Sequence, residues 1–132
     1  LRFGKVALSY TDTHFQVMSA AVTGKNDVVI AVTLSGETPD ILETLTVAKK
    51  NKSKIIVITN HILSAAAQMA NHVLLTAGRE TLIDGGSLIA KMSQLYIIDV
   101  LCTGYALQNK DESLKMKHNT AEAVVRKNSG VK

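Results

Sequence analysis

The chain has 132 residues, 46% of them apolar, with 15 basic against 11 acidic side chains and one cysteine, which suits one domain with a genuine core. No run of eighteen apolar residues and no charged-then-apolar leader occurs, which argues against a spanning helix and against export. The net charge of +4 is dispersed and aromatics make up only 4%, so direct nucleic-acid contact by these residues is not expected.

Lys5 to Tyr10 reads as a short strand, and Asp12 to about Val22 as a helix capped by Asp12 or Thr13. Phe15, Met18, Ala21 and Val22 recur at helical spacing and are expected to face the sheet. After a turn at Gly24-Lys25-Asn26-Asp27 comes the stretch around which the chain is organised, residues 28 to 40. Here the apolar run Val28 to Val32 gives way to Thr33-Leu34-Ser35-Gly36-Glu37 and then to Thr38-Pro39-Asp40. That is a strand, a tight loop and a helix start, with Thr38 able to cap, Pro39 suited to the first helical position and Asp40 complementing the helix dipole.

The hydroxyls of Thr33, Ser35 and Thr38, with backbone N–H groups of the loop, converge on one small volume suited to an anion such as phosphate. An ordinary capped turn between strand and helix gives the same local pattern. Glu37 places a negative charge beside this volume, so an anion site here requires its side chain to point away.

The helix from Thr38 to Asn51 is predicted to bury Ile41, Leu42, Leu45 and Ala48 and to show water Glu43, Lys49 and Lys50. Lys54 to Thr59 is a strand apolar on both faces, as a central parallel strand requires. Asn60 and His61 then end it at the edge where open α/β sheets bind ligands; His61 is either a ligand contact there or an exposed loop residue. Ser64 opens a short helix to Ala70, and His72 to Thr76 is a brief strand. Strands alternating with helices in this way predict a mainly parallel sheet with helices on both sides.

Residues 77 to 86 form a connection carrying Gly78, Arg79, Glu80, Asp84, Gly85 and Gly86, where a carboxylate is either solvated or available to sugar hydroxyls. Ser87 to Leu107 is the longest helix and is apolar on more than one face, which calls for more than one partner. The second partner is another copy of the chain or the C-terminal tail. Within this helix the lone Cys102 is read as a packed thiol, consistent with a reducing cytoplasm. Beyond Gln108 the chain turns charged and small, and Asn119-Thr120-Ala121-Glu122 has the spacing of a capping box for a last short helix.

Thr33-Leu34-Ser35-Gly36-Glu37-Thr38, preceded by Asp27 and a hydrophobic strand, resembles the S-x-S-G-x-T loop of the sugar isomerase (SIS) domain. Ile58-Thr59-Asn60, Ser64, Glu80, Gln94-Leu95 and Ile98-Asp99-Val100-Leu101 follow in the order seen in the SIS domains of RpiR/MurR-type bacterial regulators. The likeness runs from about Leu1 to Leu107, leaving 108–132 as a tail. It departs from the family at Ser64-Ala65-Ala66-Ala67, where S-P-L-A is usual, and at Asp84, near where the regulators often carry arginine.

The resemblance implies a flavodoxin-like α/β/α sandwich that lacks the family's first strand and its glycine- and serine-bearing loop. It also implies a cytoplasmic phosphosugar sensor without cofactor, metal or catalytic residues. Its ligand residues would be Thr33, Ser35, Gly36, Thr38 and Glu80, with His61 as a further candidate. The sensor would self-associate through the 87–107 helix, and a separate helix–turn–helix domain would touch DNA. The alternatives are an aldose–ketose sugar-phosphate isomerase using Glu80 or His61, and an association module with a vestigial pocket.

Overall fold

The computed structural model describes residues 3–77 and 88–128. Contacts divide the chain into two units, Tyr10–Ile97 on the one hand and Leu1–Ser9 with Ile98–Lys132 on the other.

The first unit is α/β. It begins with helix α1 (Thr13–Ala21), strand β1 (Val28–Val32), helix α2 (Pro39–Lys50) and strand β2 (Lys54–Thr59). Helix α3 (Ala65–Met69), strand β3 (His72–Leu75) and the first half of helix α4 (Leu88–Gln108) complete it. The sheet is parallel throughout, in the order β1-β2-β3, with Ile30 opposite Ile56 and Ile58 opposite Leu74. Parallel neighbours need helical crossovers, and α2 and α3 supply them.

Strand alternation sends Ala31, Ile55 and Val57 to one face, where they cluster with Leu45 and Ala48 of α2, Ala66 of α3 and Ala20 of α1. On the opposite face Val28, Ile30 and Val32 are exposed. The expected α2 stripe is present, with Leu45 and Ala48 fully buried and Ile41 and Leu42 packed against the cluster.

Two expectations for the N-terminal part of the chain are corrected. Residues 5–10 form no strand, and Val6 and Leu8 are exposed; a strand exists only by pairing, and the sheet gives this segment no ladder. Helix α1 is capped as expected, Asp12 accepting from the Phe15 N–H at 3.1 Å, but its predicted stripe of Phe15, Met18, Ala21 and Val22 is exposed. The buried residue is Ala20 instead, because α1 is held at its C-terminal end. There the Asn51 side chain, just beyond α2, donates to the carbonyls of Ala20 and Ala21, and the Ser53 hydroxyl donates to that of Thr23.

The second unit contains the rest of α4 and helix α5 (Lys110–Asn128), which follow each other with only Asn109 between. The last helix is much longer than the short one expected, and Asn119 lies in its interior, so the capping-box spacing marks no helix start. No glycine or proline interrupts residues 110–128, and Asp111 and Glu112 in the first turn and Arg126 and Lys127 in the last match the dipole. The N-terminal segment meets α5 at Gly4, whose φ is +74° and where an added Cβ would come within 2.9 Å of the Met116 side chain. Cys102 is exposed rather than packed, because the helix that carries it is itself largely uncovered. Among the described residues no helix is long and apolar enough to cross a membrane.

Candidate functional site

Both β1 and β2 deliver their C-terminal ends to the same sheet edge, so the loop at 33–38 and the segment from Asn60 to Ser64 are neighbours. They are joined by backbone and hydroxyl groups. Thr33 N–H donates to the Ile58 carbonyl at 3.0 Å and Asn60 N–H to the Leu34 carbonyl at 3.2 Å. The fully buried Thr59 sits between them, its hydroxyl donating to the Leu34 carbonyl at 3.0 Å and accepting from the His61 N–H at 3.3 Å. Across β3, the Thr76 hydroxyl donates to the Asn60 side-chain oxygen.

Within the loop the candidates separate into two kinds. Thr33 is 7% exposed and its hydroxyl accepts from the Gly36 N–H at 3.2 Å, so it shapes the turn from inside. Gly36 is buried with φ +72°, and a Cβ there would stand 2.2 Å from the Ser64 hydroxyl oxygen. That combination of a left-handed backbone and a close neighbour is met by glycine alone. Ser35 and Thr38, in contrast, are exposed. The Ser35 hydroxyl accepts from the Glu37 N–H at 3.2 Å, and its own proton is directed by whatever acceptor approaches.

The donor inventory thus differs from the expectation. The amides of Gly36 and Glu37 are used inside the loop, and Thr38 occupies the N-cap position of α2 without a side-chain capping bond. Its hydroxyl is not spent on the helix. The outward donors are the Ser35 and Thr38 hydroxyls and the first turn of α2, whose Asp40 and Ile41 amides have no intrahelical acceptor.

The Glu37 carboxylate accepts from the Ala65 N–H at 2.8 Å, at the start of α3. His61 is exposed at the end of β2, on the edge that carries the loop. Glu80 lies outside the described residues, as do Gly78, Arg79, Asp84, Gly85 and Gly86. Among the described residues no group of His, Cys, Asp and Glu is arranged to hold a metal ion. Sequence reasoning missed the parts played by Thr59 and Ala65. Neither carries a local signal, because each acts through a partner distant in the chain.

The SIS domain family pattern matches residues 3–104. HTH-type transcriptional regulator RpiR of Escherichia coli K12 is 34% identical over 113 residues, covering 86% of this chain and 38% of that protein. A structure of Vibrio vulnificus NanR complexed with ManNAc-6P superposes with a TM-score of 0.84 at 29% identity, over 94% of this chain and 47% of that one. The sugar isomerase domain of an RpiR transcription factor from Sphaerobacter thermophilus has a TM-score of 0.72 at 18% identity, over 92% of this chain and 66% of that one, and shares the fold. The chain thus spans less than half the length of RpiR and NanR.

Proposed function

This chain belongs to the SIS domain family, and from that premise we propose that it is the phosphosugar-sensing part of a bacterial transcriptional regulator working in the cytoplasm. The observation that carries the reading is the loop after β1. It offers two exposed hydroxyls and the first turn of α2 to an anion, on a fold similar to that of Vibrio vulnificus NanR complexed with ManNAc-6P. Ser35 and Thr38 hold the phosphate. Thr33 and Gly36 keep the loop in the shape that presents those two hydroxyls. Glu80 takes sugar hydroxyls by its place in the motif order, and His61 contacts the sugar from the end of β2.

DNA is contacted by a separate helix–turn–helix segment, of the kind named in RpiR, and the subunits associate through α4. Support for the last point is chemical: α4 has Leu88, Met92, Leu95 and Tyr96 exposed, and an apolar helix surface of this size needs cover.

Calorimetric titration with hexose, hexosamine and pentose phosphates tests the reading. One member of the panel is expected to bind, its unphosphorylated parent not to bind, and Ser35→Ala and Thr38→Val each to weaken the complex at least about tenfold, the loss of a hydrogen bond to a charged group. Equal affinity for the unphosphorylated sugar overturns the assignment of the loop. The isomerase alternative differs in one observable, since aldose–ketose interconversion followed by NMR is absent for a sensor and rapid for an enzyme.

A further inference from the structure

Helix α3 has only five residues, Ala65–Met69, too few to sustain themselves by helical hydrogen bonding. Its first three amides nevertheless all have acceptors. Ala67 N–H donates to the Ser64 hydroxyl at 3.3 Å, Ala66 N–H to the Gly36 carbonyl at 3.0 Å, and Ala65 N–H to a Glu37 carboxylate oxygen at 2.8 Å. Two of the three acceptors are borrowed from the loop after β1. The cap of α3 and the conformation of that loop are therefore one hydrogen-bonded arrangement, with Glu37 standing between the two exposed hydroxyl residues Ser35 and Thr38.

We propose that Glu37 is the positioning residue of the anion loop, capping α3 at Ala65 so that the loop is clamped in its presenting shape and its own negative charge is parked away from the ligand. The proposal rests on the phosphosugar reading above and adds to it a residue that does not touch ligand. Two physical effects oppose each other at this position. Removing the carboxylate removes a like charge near the bound anion, which by itself tightens binding modestly in salt. It also frees the loop and strands the Ala65 donor, which weakens binding. Capping is a direct charge-assisted hydrogen bond at 2.8 Å, whereas the repulsion between exposed charges is screened, so capping decides the sign.

Ala65 offers an independent handle. Ser64 has φ −66° and ψ 157°, the region that residues before proline adopt, and Ala65 is the first helical residue, where proline is tolerated. Ala65→Pro therefore deletes the donor while leaving the helix start intact.

The test is calorimetric titration of the tightest-binding sugar phosphate against wild type, Glu37→Ala, Glu37→Gln, Ala65→Pro and the double variant Glu37→Ala with Ala65→Pro. Glu37→Ala and Ala65→Pro are each expected to weaken binding about tenfold, as for loss of a charge-assisted hydrogen bond. Glu37→Gln, which keeps an acceptor oxygen, should retain affinity within about threefold. The double variant should be no weaker than the weaker single one, because both changes break the same link. Tighter or unchanged binding in Glu37→Ala overturns the proposal, as does wild-type affinity in Ala65→Pro or additive losses in the double variant.

Hydrogen exchange of the Ala65 amide, read by NMR without ligand, separates this from failure of the phosphosugar reading. Absence of binding in the wild type defeats that reading alone. The clamp is overturned separately if Glu37→Ala leaves Ala65 exchange unchanged, and upheld if exchange rises about tenfold.

Discussion

Thr33 and Gly36 carry the loop's shape by different means, and substitution separates them from the residues assigned to ligand. Thr33 presents a buried hydroxyl to the Gly36 N–H, so Thr33→Val leaves that amide unsatisfied. The expected loss is about 1–3 kcal/mol of folding stability, measured by urea denaturation, whereas Thr33→Ser stays near wild type. Gly36→Ala faces both the positive φ and the Ser64 side chain and should cost about 2 kcal/mol or more in the same measurement. Ser35→Ala and Thr38→Val, at exposed positions, are expected to leave unliganded stability within about 0.5 kcal/mol. If all four substitutions affect stability alike, the division of the loop into frame and ligand contacts is wrong.

Elements were legible where hydrophobic periodicity coincides with a chemical boundary. Strand β2 falls on the residues predicted, and α2 begins at Pro39 and ends at Lys50, within a residue of its signals, because Thr38-Pro39-Asp40 and Asn51 punctuate it. Residues 5–10 have strand composition but no pairing strand among the described residues, and pairing is a property of the sheet rather than of the segment. The α1 stripe misled because its apolar side chains are the exposed ones, while contact is made through the small Ala20. In the site, the outward hydroxyls and the need for Glu37 to turn aside could be read locally, whereas the Ala65 partner that turns it could not.

Helix α4 shows the same limit from the other side. Its apolar breadth predicted two partners, yet among its 21 residues only Ala90 is buried. Leu95 is 65% and Leu107 70% exposed. On the association proposed above, a second α4 covers this surface, with Leu88, Met92 and Leu95 at i, i+4 and i+7 as the seam. Leu95→Glu places a charge in that seam, and the proposal expects a dimeric wild type and a monomeric variant in sedimentation velocity. A monomeric wild type, or association unchanged by Leu95→Glu, would locate the contact elsewhere.

At the scale of the whole molecule, a sensor must do more than bind. Ligand at a hundred times its dissociation constant stabilises the folded state by about 2.7 kcal/mol whether or not it signals, so a thermal shift detects occupancy only. Signalling through subunit arrangement requires that the ligand distinguish two states of the assembly, and the free energy of that distinction is shared reciprocally between the two equilibria. With one site per subunit, the factor by which saturating sugar phosphate changes the dissociation constant of the dimer must equal the square of the factor by which dimerisation changes affinity at each site. For a coupling of about 1–3 kcal/mol per site the affinity factor lies between about 5 and 150. Sedimentation equilibrium with and without ligand gives one side, and titration above and below the dimer dissociation constant gives the other. A dimer factor equal to the square of the affinity factor is the expected result. A ligand that binds tightly yet leaves the dimer constant unmoved would deny the subunit contact any part in signalling and confine the response to changes inside one chain.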